Sequence, residues 1–254
     1  MPLEYLLIAL SAFIASLITF YSGFGLATLL MPVMAIFLPL PLAIGLTAIV
    51  HLCHNLAKSL LLYRAIRWGV VIRFGIPAIL AAVAGAYLLR ELTFLPPLAT
   101  YTLWGFPITL TLLHLLIGLL LILFATLQLL PLPRLHNLYV GGVLSGFFGG
   151  LSGNQGAFRS LFLVNAIDDT PTYIGTSAFI ASAVDAIRIL VYGWAFWSLF
   201  TLKSLPPLGA GLGGALLGVA VGMAYLRRVP LQWVRYLVVG LLYLLGVLLA
   251  VGLI

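Results

Sequence analysis

Five polar side chains interrupt an apolar run in the first third of the chain. They are Thr47, His51, His54, Asn55 and Lys58. Their spacing of i, i+4, i+7, i+8 and i+11 places all five on one face of a helix, while the leucines between them point elsewhere. Lysine and asparagine donate hydrogen bonds to anions, and an imidazole exchanges protons near neutral pH. This face therefore predicts a polar site that binds an anion or transfers a proton.

A second polar face follows about 130 residues later, also within an apolar run. It contains Ser177, Asp185 and Arg188, with Ser182 beside them. A charged side chain at mid-membrane depth costs about 2.5–3.5 kcal/mol, so such groups face a protein interior or a water-filled cavity. Asp185 and Arg188 are spaced i, i+3 and can neutralise each other. Two interpretations stay open: a functional site, or an ion pair that fixes helix packing while Lys58 reaches the cytoplasmic interface.

A glycine-rich stretch, Gly149–Arg159, provides a third polar group. Its four glycines and polar side chains do not suit a lipid-facing helix, so we expect a break here. The segment after the break would present its N–H groups and positive dipole end to an anion, and the guanidinium of Arg159 suits a sulfonate, sulfite or carboxylate. Tight packing of small residues is the alternative, but it explains Arg159 poorly. The predicted anion contacts at the breaks of the two halves are Ser152, Gly153, Asn154, Gln155, Ser22 and Gly23.

Metal and enzyme chemistry have weaker support. His51 and His54 form a His-x-x-His pair, but no nearby Glu or Cys completes a zinc set. Cys53 is the only cysteine, which excludes an internal disulfide and a cysteine metal cluster. We therefore expect no metal and no cofactor. An intramembrane enzyme that uses His51, His54, Asp185 and Ser152 stays an alternative, although no nucleophile motif accompanies them.

The composition places these residues in a membrane. Of the 254 residues, 64% are hydrophobic and only 7% are charged, against about 25% charged in a soluble domain. The net charge is +7, but the chain has no long Lys/Arg tract. Basic residues in cytoplasmic loops therefore explain the charge better than binding to nucleic acid does. The first segment lacks a basic region before it, and we expect it to be retained as a helix rather than cleaved as a signal peptide.

Ten hydrophobic segments are predicted, each with an error of about 2–4 residues at its ends. The second and seventh are shorter than a full bilayer core about 30 Å thick, which indicates half-helices, re-entrant pieces or spans completed by the unwound end of a neighbouring segment. The segments are 3–22, 24–38, 41–63, 69–90, 105–130, 137–152, 154–167, 171–194, 204–226 and 231–254.

The chain repeats itself at an offset of 130 residues. Ser22-Gly23 matches Ser152-Gly153, and the run from Pro41 to Gly45 matches the run from Pro171 to Gly175. We therefore predict two five-segment repeats, 1–130 and 131–254. Because five is odd, the second repeat would be inverted, and its broken helices would meet those of the first near the midplane. With the N-terminus outside, most basic residues fall on the cytoplasmic side, as the positive-inside rule requires: Arg64, Arg67, Arg73, Arg134, Arg227, Arg228 and Arg235.

Three motifs carry a family resemblance. They are S22-G-F-G-L-A-T-L-L-M-P-V33, P41-L-A-I-G-L-T47 and G146-F-F-G-G-L-S-G-N-Q-G156, and I174-G-T-S-A178 continues the pattern in the second half. The chain resembles the TauE/SafE (sulfite exporter, TSUP) family of membrane transporters over nearly its whole length. The resemblance implies movement of sulfite, sulfonates or sulfur-containing organic acids. The family pattern includes a Gly-Thr-Ser sequence at the start of a helix, which I174-G-T-S-A178 matches. The corresponding run of the first half, I44-G-L-T-A48, departs from it.

The sequence thus predicts an all-α polytopic membrane protein of the inner membrane that acts as a secondary transporter. We expect it to export a small anion, sulfite or an organosulfonate, by alternating access coupled to protons. A membrane scaffold is the further alternative, and a homodimer stays open because the helices carry many glycines. The proton-coupling residues are predicted to be His51, His54 and Asp185. The substrate-binding residues are predicted to be Arg159, Arg188, Lys58, Asn55, His54, Thr47 and Ser177, together with the six residues at the two breaks.

Overall fold

The computed structural model describes residues 3–22, 26–103, 105–130, 135–196, 199–225 and 231–254. Within them the chain is almost entirely helical, which confirms the all-α class. The helices are α1 (Leu3–Ser22), α2 (Leu26–Phe37), α3 (Leu40–Leu61), α4 (Trp68–Thr93), α5 (Leu112–Leu129), α6 (Leu138–Ser152), α7 (Gln155–Leu163), α8 (Thr170–Phe196), α9 (Leu205–Tyr225) and α10 (Leu231–Ala250). A π-helical turn, Val71–Gly75, lies inside α4.

Five of these helices are long and apolar enough to cross a membrane: Leu40–Leu61, Trp68–Thr93, Leu112–Leu129, Thr170–Trp194 and Leu202–Ala224. The last of these includes a 3₁₀ turn before α9. The predicted short segments are indeed short, since α2 has 12 residues and α7 has 9. At 1.5 Å per residue, α2 spans about 18 Å and α7 about 14 Å, so neither crosses a bilayer core about 30 Å thick.

The prediction of one helix over 105–130 is wrong at its start. Residues Ala99–Leu103 and Phe106–Leu110 instead form an antiparallel hairpin, β1 and β2. Gly105 has a φ of 84° and supplies the left-handed turn residue between the strands. Pro107 disfavours a continuous helix, and Thr111 caps the start of α5 by accepting a hydrogen bond from the His114 amide. Local turn chemistry therefore outweighs the hydrophobicity of this stretch.

Helix packing follows one scheme in both halves. The first half's α4 packs against α6, as α9 packs against α1, while α3 packs against α8 and α5 against α10. In addition, α1 contacts α2 as α6 contacts α7, and α2 contacts α3 as α7 contacts α8. If each helix is replaced by the helix five places before or after it in the chain, every one of these pairs becomes another pair of the set or stays the same pair. Two related halves would pack in this way. The inversion of the repeats, and their division at residue 130, stay predictions.

Glycines allow the closest of these helix contacts. Gly142, Gly146 and Gly150 follow one another at i, i+4 and i+8 on α6, against the backbone carbonyls of α4. A methyl group at any of these positions would overlap with a carbonyl oxygen of the facing helix. Gly214 lies in the same way against α1. Small residues therefore set the distance between helices, as is common in membranes.

On α3 and α8 the outward faces are apolar, and the polar and charged side chains are buried. Leu60, Leu190 and Trp194 expose 70%, 70% and 86% of their surface, whereas the charged residues of α3 and α8 are buried. This distribution is the reverse of that in a soluble protein and fits a chain surrounded by lipid.

Candidate functional site

The polar face of α3 points into the protein. Thr47, His51, His54, Asn55 and Lys58 are each at most 6% exposed. By contrast, Leu56 and Leu60, which lie on the same helix, are largely exposed. The helical periodicity thus separates the two faces as predicted, and the polar one lies against α8, with which α3 packs closely.

Asp185 on α8 lies at the centre of the contacts between the two faces. Its Oδ1 accepts hydrogen bonds from Arg188 Nε at 2.9 Å and Gln155 Nε2 at 3.0 Å. Its Oδ2 lies 2.6 Å from His51 Nδ1 on α3. Because an ionised carboxylate only accepts, His51 Nδ1 must carry the proton in that bond. The Asp185–Arg188 ion pair expected from the i, i+3 spacing is present, and the contact with His51 is an additional one.

Gln155 links the two arginines of the second half. Its amide nitrogen donates to Asp185, and its carbonyl oxygen accepts a hydrogen bond from Arg159 Nη1 at 2.9 Å. Arg159 Nε also donates to Ser177 Oγ at 2.7 Å. The structure therefore brings Arg159 and Arg188 into one network through neutral Gln155 and charged Asp185, which is the proximity that the predicted site requires.

The break between α6 and α7 lies directly against this network. Gly153 ends α6 with a φ of 81°, and a side chain there would collide with Nη1 of Arg188. Asn154 occupies the position just before α7, but among the described residues its side chain makes no capping hydrogen bond to that helix. The side-chain amide of Asn154 donates instead to Ser152 Oγ at 3.1 Å. Gln155 and Ala157, in the first turn of α7, are buried. The uncapped end of α7 thus presents buried N–H groups beside a guanidinium.

Several buried polar atoms have no hydrogen-bond partner in the part of the chain that the structure describes. They are Nη2 of Arg188, both ring nitrogens of His54, Oδ1 of Asn154, Oγ1 of Thr19 and Nε2 of Gln128. Leaving a buried polar group unsatisfied costs about 1–3 kcal/mol, so such atoms call for a ligand or a function. The first three groups belong to residues that the sequence singled out.

Other predicted site residues lie nearby with weaker contacts. Thr47 donates to the sulfur of Met34 at 3.4 Å, and Lys58 Nζ donates to the carbonyl oxygen of Thr19 at 3.4 Å. Asn55 donates to the carbonyl oxygen of His51 at 2.9 Å. Ser22 is the last residue of α1. Gly23, the other residue predicted at the first-half break, lies outside the described residues.

Two residues of the site were not predicted. Tyr192 lies one turn after Arg188 on α8; the guanidinium carbon is 6.0 Å from its ring centre, and its hydroxyl donates to the carbonyl oxygen of Gly150. Ser145 on α6 donates to the carbonyl oxygen of Gln155 at 2.9 Å. The i, i+4 spacing from Arg188 could have indicated Tyr192, whereas nothing local in the sequence indicates Ser145.

Comparisons with known proteins give one match. The profile of the family described as "Sulfite exporter TauE/SafE" matches residues 8–249, which is nearly the whole chain. No curated protein and no solved structure matches the chain. The match extends over both halves of the helical fold, the broken α6–α7 connection and the two polar faces. The chain therefore belongs to the TauE/SafE sulfite exporter family and is a multi-pass membrane transporter.

Proposed function

We propose that this protein is a secondary transporter that exports sulfite or a small organosulfonate across the inner membrane. The observation that carries the proposal is the unpartnered Nη2 of Arg188, which is fully buried beside Gly153 and the uncapped start of α7 among the described residues. A helix N-terminus and a guanidinium together favour an oxyanion, since both present N–H donors and positive charge.

The anion would be held between the two halves. Arg188 and the α7 N-terminus supply donors from the second half, with Arg159 behind them in the same network. His54, Asn55 and Lys58 supply polar groups from α3. The charge of the site supports an anion rather than a cation, because three basic side chains and a single carboxylate, that of Asp185, are buried in this region.

Contacts between the halves at both ends of the α3–α8 pair support the proposal of alternating access. Gly45 and Gly175, which match at the 130-residue offset, each pack against the other half. Gly175 lies against the backbone of Leu62, just after α3, and Gly45 lies against the ring of Phe200, after α8. We propose that these two contacts loosen in turn during transport, as alternating access requires.

Proton coupling is proposed for His51, His54 and Asp185. The 2.6 Å contact between His51 and Asp185 connects the two halves directly, and the rings of His51 and His54 lie 6.4 Å apart in a stacked arrangement. A proton that leaves His51 would break the ion pair between α3 and α8. Protonation and the relative position of the halves would then depend on each other.

An enzymatic role has less support. The enzyme alternative needs acid–base chemistry in which the hydroxyl of Ser152 works with His51, His54 and Asp185. The Ser152 hydroxyl instead donates to the carbonyl oxygen of Phe148 at 3.0 Å and accepts from the side chain of Asn154. We therefore propose that the buried histidines serve transport and not catalysis.

Flux measurements in proteoliposomes test the proposal. The full chain is reconstituted, and the uptake of labelled sulfite, sulfoacetate and chloride is followed with and without a pH gradient. We expect flux of sulfite or sulfoacetate, faster with the gradient, and slow chloride flux. Arg188→Gln should lower the flux by roughly tenfold to a hundredfold, the value of one or two charge-assisted hydrogen bonds.

Lys203→Gln is the matched control, because it also removes one positive charge and Lys203 is exposed. Correct insertion of each variant is checked by its yield and thermal unfolding in detergent. The proposal is wrong if the inserted parent protein moves none of the three anions, or if Arg188→Gln and Lys203→Gln transport equally well.

A further inference from the structure

A cavity of about 240 Å³ opens between the C-terminal ends of α4 and α8. Within the described part of the chain its lining residues are Tyr87 and Arg90 of α4 and Leu190, Val191 and Trp194 of α8. Four of the five are aliphatic or aromatic, and Arg90 is charged. Because Leu190 and Trp194 are 70% and 86% exposed, the cavity lies on the lipid-facing surface, apart from the buried arginines of the candidate anion site.

The position of Arg90 along α4 places the cavity at the level of the lipid headgroups. The helix is apolar and long enough to cross a membrane. Arg73 lies near its start and Arg90 near its end, about 26 Å apart at 1.5 Å per residue. Since a hydrocarbon core is about 30 Å thick, the two arginines reach opposite interfaces. Tyrosine and tryptophan, which also line the cavity, are typical of such interfaces.

The guanidinium of Arg90 has donors available for a ligand. Its ion pair with Glu91 is long, at 3.8 Å, and the two side chains are 45% and 71% exposed, so the pair is weak. A guanidinium has five N–H donors, and a phosphate accepts two of them in parallel. None of the five lining residues carries a carboxylate that would compete with a phosphate.

The walls of the cavity suit the part of a lipid that follows the phosphate. The cavity has the volume of about eight water molecules at about 30 Å³ each, which accommodates a phosphate and the carbons next to it. Leu190 and Trp194 continue its apolar wall along the exposed side of α8. Gly193 shares this helical face, and an added methyl group there would meet nothing within 4 Å, which leaves room for an acyl chain.

We propose that this cavity binds an anionic phospholipid, with its phosphate on Arg90 and an acyl chain along Leu190 and Trp194. A single guanidinium without a carboxylate in the lining favours a headgroup of net negative charge, since it repels the ammonium group of a zwitterionic one. A free phosphate ester would leave the apolar walls uncovered. The lipid site does not depend on which anion the protein transports.

Native mass spectrometry of the purified full chain tests the site. Protein stripped of lipid in detergent is titrated with phosphatidylglycerol, with phosphatidylcholine of the same acyl chains, or with glycerol phosphate. The dissociation constant of the first bound molecule is measured for each. We expect phosphatidylglycerol to bind about tenfold more tightly than phosphatidylcholine or better, and glycerol phosphate to show no binding over the same concentrations.

Substitution of Arg90 tests its part in the binding. Arg90→Gln should weaken the binding of phosphatidylglycerol about tenfold, the usual order for a charge-assisted contact. Arg90→Lys keeps the charge without the two parallel donors and should lose less. Lys203→Gln is the matched control, since Lys203 is an exposed cation that does not line the cavity. All these positions are exposed, and thermal unfolding checks that each variant is folded.

Three results would overturn the proposal or one part of it. If Arg90→Gln and Lys203→Gln bind phosphatidylglycerol equally well, Arg90 does not hold the headgroup. Equal binding of the two lipids to the parent protein would exclude the preference for an anionic headgroup. Glycerol phosphate that binds as tightly as phosphatidylglycerol would show that the cavity takes a free phosphate ester and not a lipid. The anion flux is a separate measurement, and none of these results decides it.

Discussion

The polar faces of α3 and α8 occupy matching positions in the two halves, yet their contacts differ. On the α8 side, Asp185, Arg188 and the α7 residue Gln155 form direct hydrogen bonds of 2.9–3.0 Å. On the α3 side, Lys58 makes a 3.4 Å bond, and both ring nitrogens of His54 lack a partner among the described residues. One half thus has a charged network of direct hydrogen bonds, and the other has an imidazole, His54, with no hydrogen-bond partner among the described residues.

The difference arises from substitutions at matched positions. Asn55 corresponds to Asp185 at the 130-residue offset, so only the second half has a carboxylate at this position. His54 corresponds to Val184, so only the first half has an imidazole there. The division that we propose places anion binding mainly in the second half and proton transfer in the first. Four predictions test this division, from the largest expected effect to the smallest.

Asp185→Asn should cause the greatest loss. It removes the charge that Arg188, Gln155 and His51 share, and breaking a buried ion pair costs about 3–5 kcal/mol. We expect a clear fall in the unfolding temperature in detergent, together with loss of flux. Asp168→Asn, at an exposed position, is the control and should behave like the parent protein. Equal stability of the two variants would show that the α8 network does not stabilise the fold.

Gly153→Ala should disturb the same network through the backbone. The residue has a φ of 81°, which costs a non-glycine residue about 1–2 kcal/mol, and the new methyl group would push against the guanidinium of Arg188. We expect lower stability and weaker anion binding. Gly209→Ala, where the added methyl group meets nothing within 4 Å, serves as the control. If Gly153→Ala binds anions as the parent does, the break is not part of the site.

His54→Leu should separate function from stability. The ring forms no hydrogen bond with the described residues, so its replacement by an apolar side chain should change the free energy of unfolding by less than about 1 kcal/mol. Flux driven by a pH gradient should nevertheless fall. His136→Leu, outside the helices, controls for the loss of a histidine. A variant that keeps its full gradient-driven flux would exclude His54 from proton coupling.

The smallest effect concerns the helix starts. Asp169 accepts a hydrogen bond at 2.9 Å from the Thr172 amide, and this bond lowers the pKa of its carboxyl. The matching residue before α3 is Pro39, which provides no side-chain cap. Because the folded-state pKa is lowered, the stabilisation is present above the ordinary carboxyl pKa and is lost as the pH falls through the lowered one.

Asp169→Asn should therefore differ from the parent protein in unfolding temperature at neutral pH, and the two should converge as the pH falls below the carboxyl range. The start of α3 has Pro39 in place of Asp169, so its stability has no such dependence on a titrating cap. A difference that does not change with pH would mean that the Asp169 charge does not stabilise α8.

Much of the fold and part of the site could be predicted from the sequence. The polar faces of α3 and α8 follow from helical periodicity, and the short α7 follows from Gly153 and its polar neighbours. The hairpin at 99–110 was missed, because Gly105 and Pro107 act through turn geometry that hydrophobicity does not report. Ser145 was missed because its partner, the carbonyl oxygen of Gln155, is brought to it only by the turn between α6 and α7.

The sequence by itself determined that this chain is a bundle of apolar helices with buried charges, because hydrophobic length and 3.6-residue periodicity are local properties. Only the tertiary structure decided which charges meet. His51 and Asp185 are 134 residues apart, and they come within 2.6 Å because α3 packs against α8. The packing of those helices depends on shape and small residues along their whole length, which no single motif encodes.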